Sequence, residues 1–244
     1  MINMQYNIHQ KFIKTPIANI LKDAIRSCSP IGYGIETQAL CEYIMQTTFL
    51  KMTGASEQKL KCIIWEIATY DYDYRYKILS KPLGECSQYK DKKRIYDEVG
   101  ETIKEIDRSA RTEALFEEEE KIEIAVKVKE QMTRTLSDSL FTVWLHRDFT
   151  AFNQLKENEL LQNNNDGFLG KTLKDYYETK VYRHRNRCAH NLRSYQDNLP
   201  TFLTLSEENY EGENYFKMFF VLILMDELYM QLYEKYLKSL TRST

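Results

Sequence analysis

Glycine and proline are both scarce, eight and four of 244 residues. All-β sandwiches and barrels need many more turn residues than that, so the shortage excludes them and predicts an all-α chain. Cysteine is sparse as well. Cys28, Cys41, Cys62, Cys86 and Cys188 are odd in number, and no two stand in a Cys-x-x-Cys pair. A disulfide framework, a zinc centre and a redox dithiol are therefore not expected, and a reducing cytosol fits. Long apolar runs are missing too: the longest, Met218 to Met225, is under half of the roughly 20 residues that a membrane span needs. The start, MINMQYNIHQKF, lacks the basic residues and apolar stretch of a signal peptide. The expectation is a cytoplasmic protein with no membrane contact. Nor is there a surplus of charge of one sign, since 34 Lys and Arg face 36 Asp and Glu. Such a chain is not a general binder of polyanions, and its ordinary composition suits one domain over residues 1–244.

What is present is helical periodicity. Thr15-Pro16 reads as an N-cap and first helical position, with Cys28-Ser-Pro30 closing that helix. ETQALCEYIMQTTFLKM follows at helical spacing with Gly54 as its stop, and Ser56 then caps a further helix through Ile63, Ile67, Tyr70, Tyr74 and Ile78. The alternation in TYDYDYRYK suits a strand equally well, but the 3.6-residue pattern runs through it and predicts helix, with rings that pack rather than stack on RNA. Residues 81–129 are highly charged, include Glu117 to Glu120 in a row, and read as a charged insertion, a helical or hairpin-like arm. A short strand over Ile122, Ile124, Val126 and Val128 stays open. Met132 to Phe152 resumes an amphipathic helix, ENELLQNNNDGFLG is a loop, and Lys171 to about His190 is helix again. The final helix, Asn214 to Leu240, is apolar nearly all round, which places it at the centre of the core or against a second subunit.

Two motifs look like chemistry and lack its context. His146-Arg-Asp-Phe-Thr-Ala-Phe-Asn153 has the spacing of a kinase catalytic loop, but no glycine-rich loop or strand lysine precedes it. Asn165-Asp-Gly-Phe-Leu-Gly-Lys-Thr172 approaches a phosphate-binding loop, yet LQNNN stands where a buried strand is required. The second is better read as a helix start, with Gly170 freeing the turn.

The densest functional signal is VYRHRNRCAHNL, Val181 to Leu192, with three arginines and two histidines in eight residues. From Lys171 to Tyr195 seven basic residues meet only Asp175 and Glu178, so this is a local anion-binding feature on an otherwise acidic chain. On an ideal helix Arg183, Asn186, Arg187 and His190 share a face, while Arg185 lies about 140° from His190. Arg185 then reaches His190 only through a distortion or a wrapping side chain, and Asn191 is a candidate C-cap there. A histidine moves protons at neutral pH, a guanidinium braces a phosphate through paired hydrogen bonds, and an amide positions an oxygen. These are the parts needed to cleave RNA without a metal ion: activate a 2′-hydroxyl, stabilise the phosphate and protonate the leaving oxygen. A basic helix end whose charges pair with acidic neighbours is the plain structural alternative.

Arg185-Asn186-Arg187-Cys188-Ala189-His190 resembles the R-x(4–6)-H signature of the HEPN superfamily in its R-N-x-x-x-H form, placed late in the chain before one last long helix. The resemblance implies a helical bundle that dimerises so that two motifs face one cleft, giving a metal-independent endoribonuclease with no cofactor. It assigns phosphate binding to Arg185, positioning to Asn186 and general acid/base work to His190. Arg183, with six intervening residues, satisfies the same spacing and is the alternative arginine. Arg183, His184, Arg187 and Arg193 are the expected RNA contacts, and Glu42, on the early helix, the expected partner of the arginine. Family members are commonly toxins with an antitoxin partner or phage-defence effectors. A non-catalytic module that binds RNA, a nucleotide or a protein partner is the second reading.

Overall fold

The C-terminal apolar run becomes a 28-residue helix, α11 (Tyr215–Arg242), buried on almost every side. The computed structural model describes residues 8–32, 34, 37–80, 84–107, 115–156, 161, 167–190 and 214–242. Before α11 come α1 (Ile8–Ile13), α2 (Ala18–Cys28), α3 (Gln38–Tyr70), α4 (Tyr72–Ser80), α5 (Tyr89–Ile106), α6 (Glu118–Leu136), α7 (Leu140–Trp144), α8 (His146–Asn153), α9 (Lys171–Tyr176) and α10 (Arg183–His190). A π-helical segment, Tyr177–Tyr182, joins α9 to α10. The fold is all-α, and no strand occurs among the described residues.

Helix α11 is the axis of the core. It packs against α3, α5, α6 and α8, and α1 and α2 close over α3. Phe216, Phe219, Phe220, Leu224 and Leu228 are fully enclosed, each contributing about 1.5–3 kcal/mol of burial. This decides between the two expectations for that helix: its apolar surface is used within one chain.

Four expectations change. Helix α3 runs unbroken through Gly54 for 33 residues instead of stopping there. A mid-helix glycine costs about 1 kcal/mol, and the stripe Phe49, Met52, Leu60, Ile63, Ile67, buried on both sides of it, outweighs that. Second, Thr15 does not cap α2. Its hydroxyl bonds back to the Lys11 carbonyl, while the N–H of Ile17, at the N-cap position, donates to the Asp226 carboxylate at 3.0 Å. Third, the break in the tyrosine-rich stretch falls at Asp71, whose carboxylate accepts from the Tyr74 N–H at 2.9 Å and starts α4; Tyr74 is buried, while Tyr70, Tyr72 and Tyr76 face outward.

Fourth, the described part of 81–129 does not stand off as an arm. Lys92, Ile95, Tyr96, Val99 and Ile103 of α5 and Ile124, Ala125 and Val128 of α6 lie in the core against α11. The alternating Ile122–Val128 stretch is helical, not a strand. The Met132–Phe152 segment divides into the end of α6, α7 and α8, with the kinase-like motif forming α8. Gly170 sits at the N-cap position before Lys171, as the helix-start reading required. No described helix is long and apolar enough to cross a membrane.

Candidate functional site

Arg185 lies in the first turn of α10, which runs beside α3. Its Nη2 donates to Oε2 of Glu57 at 3.1 Å, and its Nη1 donates to Oδ1 of Asn186 at 3.2 Å. The ion pair is screened but not sealed, with side chains 21% exposed for Arg185 and 12% for Glu57. The expected partner, Glu42, is exposed about four turns earlier on α3, so the carboxylate facing the arginine is Glu57 instead. Glu57 was hidden by the expected stop at Gly54, which put it in the capping turn of a separate helix. On one continuous helix it flanks the buried stripe.

A second cation approaches the same carboxylate. Lys92 of α5 is fully enclosed, with Nζ 5.7 Å from the centre of the Tyr177 ring. Burial pulls its ammonium pKa down to about 8, Glu57 pulls the other way, and Arg185 adds to the lowering. Two cations thus act on the Glu57 carboxylate, with Asp91 close to Lys92 and Glu85 close to Arg185 as further acidic neighbours. Lys92 was legible in one respect: Tyr89, Lys92, Tyr96, Val99 and Ile103 repeat every three or four residues, so this lysine sits on the apolar stripe.

The chain before α5 is fastened to this cluster. Cys86 has a left-handed backbone, φ 60°, uncommon outside glycine, and the turn there returns Glu85 to Lys61 at 2.8 Å. The Tyr177 hydroxyl donates to the Ser87 carbonyl at 2.7 Å, and Gln88 Nε2 donates to the Tyr182 hydroxyl at 3.3 Å. Both tyrosines belong to the π-helical segment, the first and last of its six residues. Such segments inside helices recur at functional sites, and this one directly precedes the Arg/His motif.

The other predicted residues separate into three groups. Arg183 is exposed. His184, expected to touch RNA, is instead enclosed at 6% exposure between Phe49 and Tyr215, with ring centroids 5.0 and 5.2 Å away. Its Nε2 is 3.0 Å from the Tyr215 hydroxyl and its Nδ1 3.3 Å from Arg187 Nη2, so it acts on Arg187 from beneath. Arg187 is half-buried by that contact. Burial pushes the Cys188 thiol up, but contacts with His184, Gln46 and Arg187 outweigh it and leave the thiol below its ordinary pKa. Third, His190 is the last residue of α10, its side chain is not among those described, and Asn191 and Arg193 lie outside the described residues.

The pairs Arg185 with Glu57, His184 with Phe49 and Cys188 with Gln46 show that α10 runs opposite in direction to α3. The end of α10 therefore points toward the part of α3 that carries Glu42. A groove of about 540 Å³ elsewhere, bounded by Lys77, Lys93, Arg94, Asp97, Glu101 and Lys174, contains none of these residues. Its charges are largely committed to each other, Lys93 to Asp97 and Lys77 to Glu101.

No protein-family model, curated protein or solved structure matches this chain.

Proposed function

We propose that the chain is a HEPN-type endoribonuclease that cuts single-stranded RNA without a metal ion at a site shared by two copies. The single observation that carries this reading is the disposition of Arg185: a guanidinium on the same short helix as His190, held by Glu57 and Asn186, with buried Lys92 supplying a second positive charge. Arg185 keeps its fork aimed while leaving a path for phosphate, and an entering phosphate exchanges with the Glu57 carboxylate. The 2′-oxygen of the ribose forms a bond to phosphorus while the bond from phosphorus to the 5′-oxygen breaks. His190 takes the 2′-proton or supplies one to the leaving oxygen, and its counterpart in the second copy does the other. The products are a 2′,3′-cyclic phosphate and a 5′-hydroxyl. The role of toxin or phage-defence effector, with an antitoxin or regulatory partner, rests on the family resemblance of the Arg185–His190 motif.

A non-catalytic module is favoured by one observation, that Arg185 is already paired with Glu57. The test separates the two. Purified wild type, Arg185→Ala and His190→Ala are incubated with single-stranded RNA in EDTA. The enzyme reading requires cleavage by wild type alone, with cyclic-phosphate ends. Equal RNA loss with all three, or cleavage only on adding a divalent ion, overturns it, and RNA binding without cleavage establishes the module.

A further inference from the structure

One thiol of the five stands apart. Cys28, Cys41, Cys62 and Cys86 are buried, and burial pushes each of them up. Only Cys188, on α10, is half-open to solvent. It is also a partnered thiol, with donors from two helices converging on it. Its Sγ lies 3.4 Å from His184 Nε2, and Gln46 of α3 hydrogen-bonds to it as well. The His184 ring is held on three sides, since Phe49 and Tyr215 enclose it and Arg187 Nη2 meets its Nδ1 at 3.3 Å. A guanidinium can only donate, so Nδ1 accepts and the ring proton stands on Nε2. That N–H has two acceptors in reach, the Tyr215 hydroxyl oxygen at 3.0 Å and the Cys188 sulfur. A sulfur carrying negative charge takes such a bond better than a neutral thiol does, and the nearby Arg187 charge favours the same form. Burial still pushes this thiol up, but His184, Gln46 and Arg187 together bring it below its ordinary value.

The RNA chemistry described above makes no use of this arrangement. Its place on α10 nevertheless matters: Cys188 follows Arg185 by three residues, about 60° around the helix and about 4.5 Å along it. A group attached to the sulfur therefore covers the Arg185 fork. We propose that Cys188 is a modification site, a thiolate that reacts with hydroperoxides and is then capped by a small thiol. The sulfur attacks one oxygen of hydrogen peroxide and the O–O bond breaks, its electron pair going to the other oxygen. The departing hydroxide takes a proton from solvent and becomes water. Sulfur is oxidised by two electrons to a sulfenic acid, and the peroxide is reduced. A small thiol then attacks the sulfenic sulfur, water leaves, and a mixed disulfide remains. The capped form blocks Arg185. That consequence rests on the RNA reading above; the modification does not.

The test is dimedone trapping on the full chain. Reduced wild type, treated with hydrogen peroxide and dimedone at neutral pH in EDTA, should carry the adduct on Cys188, with the other four cysteines unlabelled in peptide mass spectra. The reference is Gln131→Cys in a Cys188→Ser background, an ordinary exposed thiol on α6. Cys188 should react at least about threefold faster than that reference despite its partial burial. Labelling of several cysteines alike, or no gain over the Gln131→Cys thiol, overturns the site, and this comparison needs no variant inside the cluster. His184→Phe, which keeps a ring between Phe49 and Tyr215, should remove the gain; an unchanged rate with a wild-type melting curve overturns the part given to His184. Peroxide followed by glutathione should cut RNA cleavage by wild type at least about tenfold, dithiothreitol should restore it, and Cys188→Ser should be unaffected. Full cleavage with the adduct mapped to Cys188 overturns the block. Absence of cleavage by reduced wild type removes the enzyme reading and leaves the trapping result to decide the modification.

Discussion

Glu57 and Lys59 stand two residues apart on α3 and belong to two ion pairs of opposite character. Lys59 faces inward to Asp226, its Nζ 2.5 Å from the carboxylate, and both side chains are sealed. Its Nζ also donates to the Thr15 carbonyl, and Asp226 accepts from the Ile17 N–H, so this pair joins α2, α3 and α11. Burial lowers the Lys59 pKa and raises that of Asp226, against their attraction, which marks a pair held by its surroundings. Glu57, about 200° around the same helix, pairs with Arg185 at a site that keeps some solvent access and holds a second cation. Burial of charge alone therefore does not single out a functional site. What separates the two pairs is solvent access: the Arg185 and Glu57 side chains keep 21% and 12% exposure, those of Lys59 and Asp226 2% each.

The largest expected effect falls on the sealed pair. Asp226→Ala leaves the Lys59 ammonium and the Ile17 N–H without the carboxylate and should destabilise the fold by about 3–5 kcal/mol in chemical denaturation. The double change Lys59→Met with Asp226→Leu should recover most of that. Arg185→Ala should act the other way round: a loss of RNA cleavage on the order of 10²- to 10³-fold, with a stability change near 1 kcal/mol. Arg185→Lys should recover little, because the forked geometry is gone. If Arg185→Ala costs as much stability as Asp226→Ala, both pairs are structural and the contrast fails.

Lys92 gives a pH test. Its folded-state pKa of about 8 lies below the usual value near 10.4, so between those pH values the unfolded chain holds the proton more firmly. Its contribution to stability is unfavourable below pH 8 and is relieved as pH rises through that window. Lys92→Met should thus stabilise the protein at pH 7 by up to about 3 kcal/mol, with the gain fading toward pH 10. RNA affinity should fall as Lys92 loses its charge above pH 8, and the Lys92→Met variant should lack that step in a filter-binding titration. The smallest effect belongs to Tyr215→Phe, about 1 kcal/mol from the lost contact with His184, measured by thermal melting.

Much of this was legible in the chain. The lack of glycine and proline announced an all-α fold, and the unbroken apolar pattern after Asn214 announced a buried last helix. Local signals fail where distant groups decide. Thr15 reads as a cap only until Asp226 is known to lie beside Ile17, 209 residues away. Gly54 reads as a stop because the packing that carries α3 through it comes from α1, α2 and α11. Of the site, Arg185 and its neighbour Asn186 could be chosen from spacing, but Glu57 depended on that misread boundary. His184 looked like part of a charged cluster and proves to be one of the few residues of that cluster pointing inward.

The π-helical segment has a genetic consequence. From Tyr177 to Tyr182 the backbone holds about one residue more per turn than an α-helix does, so the wide turn takes up an extra position while the helix after it keeps its phase. Deleting one codon, such as that for the exposed Thr179, would let the segment wind as ordinary helix with α10 still facing Glu57, whereas winding all six residues as ordinary helix would swing α10 by about 100°. In the latter case Arg185 would leave Glu57 although every residue of the motif was still present. The phase of the site thus depends on a wide turn outside the motif, which absorbs one extra position and keeps Arg185 on Glu57.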